Sequence, residues 1–348
     1  MSDKMTSMQR VLTTLGHKEP DRVPIFLLFT MHGAIELGLP IKEYFTTPRH
    51  IAEGQVRLRN KYHNDCLYGF FYAPIEIEAW GGEVIFRDDG PPNSGEPFIK
   101  KFDDIKKLTL PLVKHTKCLT KALEAQTLMK QRVADEVPII GVVMSPFSIP
   151  VMQMGFDKYI ELLYEHRDLF EHLMKLNEEF CVEWANAQLE AGCTAICYFD
   201  PVSSTTIINK ELYLQTGYKI AKSTLSKIKG PVATHFAAGR CLSIIDEVAQ
   251  TGTAVVGVSV LEDIGQIKNA CKGKMTVLGN LNGIEMRRWS AQHTESVIKE
   301  TIAKAGQGGG FILSDNHGEI PFQVSEEVLY NISNSIQKWG VYPLNWIE

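Results

Sequence analysis

The chain has 348 residues, of which 44% are apolar, enough for one large folded domain with a sizeable core. Its 36 basic and 41 acidic residues give a net charge of -5 without long runs of either sign, which argues against a nucleic-acid-binding surface. The seven cysteines are scattered, no stretch approaches the roughly 20 apolar residues of a membrane span, and residues 1–7 lack the apolar core of a signal peptide. These features predict a reduced cytoplasmic protein without a membrane segment.

The first third of the sequence predicts the least regular structure. An amphipathic helix is expected over 5–15, a buried strand over 23–29 and a second helix over 47–62. Residues 75–80 alternate between apolar and polar, which predicts a strand, and the Gly- and Pro-rich stretch that follows predicts a hairpin and an exposed loop up to Pro97. We therefore expect a single domain over 1–348, with an N-terminal helix in 1–20 and a hairpin insertion in 74–100.

From residue 117 onward, apolar runs alternate with amphipathic stretches. The predicted strands are 137–144, 194–200, 232–235, 254–259, 275–280 and 311–313, and the predicted helices are 117–132, 157–163, 168–191, 210–228, 243–251, 264–271, 292–305 and 326–339. Continuous apolar strands separated by helices are typical of a parallel sheet covered on both faces. With about eight strands, an α/β fold of the closed (β/α)8 TIM-barrel type is favoured over an open sheet. The open alternative usually carries a glycine-rich phosphate turn, and the glycines at 306–310 precede a strand instead of opening a helix.

Polar residues close several of the predicted strands, among them Asp200, His235, Asn280 and Asp315, with His317 and Glu319 just beyond the last one. Because the carboxyl ends of barrel strands form one rim, these side chains are expected to lie near one another. A single strand-end histidine is more often structural. Two histidines with several carboxylates are compatible with either a metal site or an acid–base site. Cys241 begins a helix after His235, where a thiol pKa is lowered, and is a weaker candidate ligand for which a structural role is favoured.

The order and spacing of several short motifs resemble the uroporphyrinogen decarboxylase superfamily nearly end to end. These motifs are EPDRVPI at 19–25, EAWGGE at 78–83, VPIIG at 137–141, SPF at 145–147, DPVSS at 200–204, His235, GVS at 257–259, LGN at 278–280 and NHG at 316–318. The resemblance implies a β/α barrel, in agreement with the strand and helix pattern.

Within that superfamily the sequence resembles the corrinoid-dependent methyltransferases more than the decarboxylases. The decarboxylases carry an Arg-Gln-Ala-Gly-Arg segment after the first strand and a later Phe-Ser-Asp-Ile segment. The corresponding stretches here read FTMHGA at 29–34 and GFFYAP at 69–74. Without those arginines the carboxylates of a porphyrinogen would be buried unpaired, so decarboxylation of that substrate is not expected.

The resemblance also implies a zinc site with an altered ligand set. Thiol-methylating members bind zinc through a His-x-Cys pair and a later Cys, whereas here His235 is kept, Ala237 replaces the first Cys, and His317 takes the place of the second. A set of histidines and a carboxylate would suit zinc acting as a Lewis acid on an ether oxygen. His235 and His317 are therefore expected to bind zinc with Glu319, or alternatively with Asp200 or Asp315. This set resembles methyltransferase I components, which demethylate methoxylated aromatics.

The predicted reaction passes a methyl group from a small donor, with a methoxylated aromatic ranked first, to cobalamin on a separate corrinoid protein. The expected catalytic residues are His317, Asp200 and Asn280, and the expected substrate contacts are Phe70, Phe71, Tyr72, Glu76, Phe147 and Asp315. The aromatic residues among them are equally compatible with a plain core. Three alternatives stay open: methylcobalamin-to-thiol transfer, a metal-free decarboxylase-type reaction using His317 and Asp200, and a non-catalytic binding protein. A homodimer is compatible with the sequence, which does not itself predict an oligomeric state.

Overall fold

The computed structural model describes residues 5–347, so part of the N-terminal stretch judged for a signal peptide lies outside it. Its strands are β1 (Leu67–Tyr68), β2 (Val84–Ile85), β3 (Asn93–Ser94), β4 (Ile139–Met144), β5 (Ala195–Phe199), β6 (Val232–His235), β7 (Val255–Gly257), β8 (Thr276–Leu281) and β9 (Phe311–Asp315). Seven of them form one parallel sheet in the order β1-β4-β5-β6-β7-β8-β9, and β2 pairs with β3 in an antiparallel hairpin. The predicted barrel-type α/β fold and the predicted hairpin are confirmed.

The predicted strand 23–29 lies between β9 and β1. Ile25 pairs in parallel with Leu313 of β9, and its carbonyl accepts a hydrogen bond of 2.7 Å from the Asp65 N–H, just before β1. The N–H of Ile25 donates to the Asp65 carboxylate at 2.9 Å instead of to a strand neighbour. A side chain thus replaces a backbone partner, which interrupts the regular ladder while the segment still connects the two edges of the sheet.

The helices that surround the sheet mostly follow the predicted pattern. They are α1 (Ser7–Leu15), α2 (His32–Leu37), α3 (Ile41–Thr46), α4 (Pro48–Tyr62), α5 (Ile75–Ala79), α6 (Lys117–Val133), α7 (Pro150–Met154), α8 (Phe156–Glu165), α9 (Arg167–Glu190), α10 (Lys210–Gln215), α11 (Gly217–Leu225), α12 (Ile245–Ala249), α13 (Ile264–Cys271), α14 (Ala291–Ala305) and α15 (Glu326–Trp339). Within the described chain, no helix is long and apolar enough to cross a membrane.

Two predicted elements are wrong. The predicted strand 75–80 is helix α5, which follows Pro74 and carries Glu76 and Glu78 in its first turn, where carboxylates stabilise the helix dipole. A short alternating run does not distinguish one helical turn from a strand. The predicted helix 210–228 is interrupted at Thr216, whose φ of -125° and ψ of -86° are not helical, so α10 and α11 are separate. The short helices α2, α3 and α7 were not predicted.

The amino end of the barrel is closed by α1, which is held by buried ion pairs. Arg10, whose side chain is 0% exposed, contacts Asp21 and Asp65 at 2.6 Å each. Arg22 contacts the other oxygen of Asp65 at 2.7 Å. Asp65 therefore lies between two arginines and also binds the Ile25 backbone, so one carboxylate connects α1, the 23–29 segment and the start of β1.

Candidate functional site

The carboxyl ends of the strands form a mouth covered in part by the loop after β9. Gly318 in this loop accepts a hydrogen bond of 3.1 Å from the Tyr68 hydroxyl through its carbonyl. It also packs so closely on Phe199 that a Cβ atom would lie 2.0 Å from Cζ of that ring, and its φ of +87° favours glycine as well. Glycine is therefore required at position 318 for the loop to lie across the mouth. The same loop carries His317 and Glu319.

His235 ends β6 and is fully buried in this mouth. Its ring stacks on Phe199 with 4.6 Å between centroids and 14° between planes. Gly257 on β7 provides the space, because a Cβ there would lie 2.2 Å from Cδ2 of His235. The Ala237 N–H donates to His235 Nδ1 at 2.9 Å, so the neutral ring carries its proton on Nε2. Burial lowers the pKa of His235 to about 3, with a smaller contribution from His317.

His317 is half-buried in the loop over the mouth. Its Nδ1 atom is buried and has no hydrogen-bond partner among the described residues, and the same is true of His235 Nε2. Burial lowers the pKa of His317, so both rings are expected to be neutral near pH 7. The mouth therefore presents two neutral imidazoles, each with one nitrogen available to a ligand.

Two carboxylates, one at the end of β9 and one in the loop that follows it, differ in their surroundings. Asp315 is fully buried, and its oxygens accept from the N–H groups of Leu28, His317 and Gly318 at 3.1–3.2 Å. Glu319 accepts from the Thr30 hydroxyl at 2.6 Å. Burial raises the pKa of Asp315 to about 6 and that of Glu319 to about 7. Asp315 is thus committed to holding the loop, whereas Glu319 can exchange a proton near neutral pH.

Asp200 and Asn280, both predicted to be catalytic, lie at strand ends and bind neighbouring protein groups. Asp200 is buried and accepts from the hydroxyls of Ser145 and Ser148 at 2.6 and 2.8 Å, and burial raises its pKa. Asn280 donates through Nδ2 to the Ser259 carbonyl at 2.9 Å, which ties the end of β8 to the loop after β7. These contacts give both side chains a role in shaping the mouth, and their catalytic roles stay predictions.

The aromatic residues predicted to contact substrate lie in separate parts of the structure. Phe71 and Tyr72 pack with Phe45 in one hydrophobic cluster, whereas Phe147 is 0% exposed in another. Phe70 is the partly exposed member of the set and lies 5.4 Å from the Tyr68 ring. The four aromatic residues therefore do not form one patch, and Phe70 is the member best placed to meet a ligand.

Glu76, another predicted substrate contact, is buried on α5 beside the end of β4. One of its carboxylate oxygens accepts from the Met144 N–H at 2.8 Å, while the other has no partner in the described chain. Burial raises the pKa of Glu76 to about 8, so the side chain is expected to be mostly protonated at pH 7. A protonated carboxyl group can donate a hydrogen bond, which is the property that a substrate contact here would use.

The donor groups do not fit the predicted zinc centre. Over residues 5–347, no three His, Cys, Asp or Glu side chains come together as a metal-binding group. A histidine that ligates zinc normally donates its other ring N–H to an acceptor, whereas Nδ1 of His235 accepts a hydrogen bond. Cys241 is fully buried, and burial raises its pKa, opposite to the lowering expected at a helix start. We therefore derive no chemical step through zinc.

Two polar residues of the mouth were given no role by the sequence. Thr30 directly follows the 23–29 segment and binds Glu319, so the rule that polar residues close barrel strands would have identified it. Asn316 is 1% exposed, and neither its Oδ1 nor its Nδ2 has a partner among the described residues. No sequence signal marks an unpartnered amide, because the property depends on what surrounds the side chain in the fold.

Comparison with known proteins places the chain in a family. The chain is 24% identical over 280 residues to the methylcobamide:CoM methyltransferase MtaA of Methanosarcina barkeri, covering 79% of this chain and 80% of the relative. It is 25% identical over 333 residues to a uroporphyrinogen decarboxylase of Actinobacillus pleuropneumoniae, covering 89% and 91%. The solved structure of a methyltransferase from Methanosarcina mazei superposes with a TM-score of 0.85 at 19% identity, covering 96% of this chain and 99% of that one, which supports the fold. The profile of the family described as Uroporphyrinogen decarboxylase (URO-D) matches residues 6–339, and the chain belongs to this family.

Proposed function

We propose that this chain is a corrinoid-linked methyltransferase that moves a methyl group from a small donor to cobalamin on a partner corrinoid protein. The observation that carries the proposal is the set of unpartnered buried atoms in the mouth, on His235, Asn316 and His317. Native proteins leave few buried polar atoms unpaired, and those that remain often serve binding or catalysis. The similarity to methylcobamide:CoM methyltransferases of Methanosarcina favours methyl transfer as the reaction that these atoms serve.

Glu319 is the residue of this chain that we assign to proton transfer. With a methoxylated aromatic as donor, the bond between the methyl carbon and the ether oxygen breaks, and that oxygen keeps the electron pair. Glu319, with a pKa of about 7, gives its proton to the departing oxygen, and the hydroxyl of Thr30 holds the carboxylate in place. When bound, the corrinoid supplies the nucleophile that accepts the methyl group.

The remaining mouth residues bind and orient the donor. His235 Nε2–H, the amide of Asn316 and His317 Nδ1 offer hydrogen bonds to its polar substituents, and Phe70 offers a ring face. The proposed roles of these residues do not depend on zinc, and the assay below identifies the methyl donor. We also propose a cytoplasmic setting, since all seven cysteines are unpaired.

A partner that carries the corrinoid would meet the loops around this mouth. Ile207 follows β5, Val260 and Leu261 follow β7, and Ile284 follows β8, and each is an exposed apolar side chain, with Leu261 at 57% exposure. Apolar side chains on three neighbouring loops are suited to contact with another protein. We therefore place the corrinoid protein over this side of the mouth.

The test is an anaerobic assay with a reduced corrinoid protein and a panel of methoxylated aromatics, simple alcohols and methylamines. We expect methyl transfer from at least one methoxylated aromatic, with a rate about 10²- to 10⁴-fold lower in Glu319→Gln. Metal analysis of the same preparation measures zinc. Transfer to no corrinoid protein from any donor would contradict the proposal. Methyl transfer from methylcobalamin to a thiol is assayed in parallel, because the similarity to methylcobamide:CoM methyltransferases makes it the second candidate.

A further inference from the structure

The barrel interior holds a cavity at the end opposite the mouth. It measures about 100 Å³, and its wall consists almost entirely of carbon atoms. Ile140, Ala195, Ala233 and Val255 line it from four neighbouring strands, and α1 lies beneath them. Barrels of this type are normally filled by layers of Val, Ile and Leu side chains, so a hollow interior needs a cause.

Small side chains on β5 and β6 are that cause. Ala195 and Cys197 point into the barrel from β5, and Ala233 does so from β6, where each barrel layer usually has a branched side chain. In the sheet, Ala233 pairs with Cys197 on one side and with Val255 on the other, so the small residues are adjacent. An empty apolar volume costs stability in proportion to its size. The sequence therefore maintains a cavity that larger side chains could remove.

The floor of this cavity is a fixed helix. Met8, Leu12 and Leu15 of α1 line the cavity, and Leu12 is 56% exposed, so the wall reaches the outer surface beneath the barrel. The same helix is anchored through Arg10, which is 0% exposed and paired with Asp21 and Asp65. Because these ion pairs fix the helix, the cavity is not expected to collapse by movement of its floor.

The polar atoms that lie along the wall are largely committed to the protein itself. The Tyr68 hydroxyl donates to Gly318, and the Thr194 hydroxyl accepts from the Ile139 N–H at 3.1 Å. Burial raises the pKa of the Cys197 thiol, which is therefore neutral. A ligand in this cavity finds neither charge nor a row of hydrogen-bonding groups, so water is a poor occupant and a hydrocarbon is a good one.

We propose that this cavity is a second binding site, separate from the mouth, for a small apolar molecule of the size of a short hydrocarbon, which enters beside α1. His235 lies at the upper end of the cavity and in the mouth above it. An occupant would therefore touch the underside of the layer that contains His235. The site is defined by its walls and does not depend on which methyl donor the mouth accepts.

Xenon is the probe for this site, because apolar cavities of about 150 Å³ that stay dry accept xenon or benzene, and xenon is the smaller of the two. The full-length protein is titrated with xenon under pressure and followed by 129Xe NMR and by its melting temperature. We expect a saturable shift of the xenon resonance and a rise in melting temperature. Ala233→Leu should abolish the saturable shift, while Ala291→Leu, the same change on the exposed face of α14, should leave it unchanged.

Two further variants make the result unambiguous. Ala195→Val adds less volume and serves if Ala233→Leu does not fold, and it should at least halve the xenon effect. His317→Ala removes a mouth residue and should bind xenon as the wild type does, which places the xenon outside the mouth. No saturable effect in the wild type, or an equal effect in folded Ala233→Leu or Ala195→Val, would overturn the proposal.

Discussion

The two ends of the barrel differ in how they bury polar groups. At the amino end, Arg10, Arg22, Asp21 and Asp65 are joined by ion pairs of 2.6–2.7 Å. At the carboxyl end, the side chains of His235, Asn316 and His317 keep buried atoms without partners in the described chain. Buried charges that are paired hold elements in place, whereas unpaired buried atoms cost stability and are retained where a ligand uses them. Substitutions at the amino end should therefore lower the stability of the fold, whereas substitutions at the carboxyl end should lower activity.

His317→Ala is expected to show the largest loss of activity without a matching loss of stability. Because His317 is half-buried in the loop over the mouth and its Nδ1 makes no internal hydrogen bond, we expect methyl transfer to fall by about 10²-fold or more, with little change in melting temperature. His115→Ala, at an exposed histidine after the hairpin insertion, is the matched control and should keep full activity. Full activity in His317→Ala would remove this residue from the site.

Asp65→Asn tests the opposite end. One carboxylate binds Arg10, Arg22 and the Ile25 N–H, so its neutralisation leaves buried arginines under-compensated. We expect the free energy of unfolding to fall by about 3–5 kcal/mol, with activity per folded molecule unchanged. Urea denaturation measures the first quantity, and the methyl-transfer assay corrected for folded fraction measures the second.

The control for Asp65→Asn is Glu53→Gln. Glu53 pairs with Arg57 and Arg132, whose side chains are 51% and 39% exposed. Exposed pairs contribute little, so the loss should stay below about 1 kcal/mol. Equal losses in the two variants would mean that burial does not distinguish the amino-end network from a surface ion pair.

The sequence predicted the regular parts of the fold better than the site. Helices α13 and α15 and the strands β4 to β9 follow from apolar periodicity, which depends on burial alone. Residues 75–80 were misassigned because six residues are too few to distinguish the two-residue period of a strand from the 3.6-residue period of a helix. His235 and His317 were proposed as site residues from their positions at and just after strand ends, and their roles stay predictions. The free amide of Asn316 and the coupling of Thr30 to Glu319 depend on contacts between residues up to 289 positions apart, which no local pattern contains.

Gly257→Ala tests whether the stacked position of the His235 ring depends on the absence of a side chain at residue 257. The added Cβ would lie 2.2 Å from Cδ2 of the ring, so the ring must move away from its stacked position on Phe199. We expect a stability loss of about 1–3 kcal/mol together with a clear loss of activity. Gly90→Ala is the control, since a Cβ there meets no atom within 4 Å. A crystal structure of Gly257→Ala with an unmoved ring would contradict this account.

The last prediction concerns the pH dependence of stability and rests on Glu76, whose carboxyl group is buried beside the end of β4 on the mouth side of the barrel. Burial raises its pKa from the ordinary 4.5 to about 8, so the folded state binds a proton that the unfolded state has released between these pH values. The wild-type stability should therefore fall as pH rises from about 4.5 to about 8, by at most about 1.4 kcal/mol per pH unit from this group.

Glu76→Gln removes that dependence, because an amide stays neutral while its oxygen can still accept from the Met144 N–H. Urea denaturation at pH 5, 7 and 9 should show the variant gaining on the wild type as pH rises. Glu76→Ala, which lacks the acceptor, should be less stable than Glu76→Gln at every pH. If the wild type and Glu76→Gln instead lose stability in parallel, Glu76 is ionised in the folded protein. The carboxyl end would then hold a buried charge without a paired cation, and the difference between the two ends of the barrel would be larger than the neutral groups of the mouth imply.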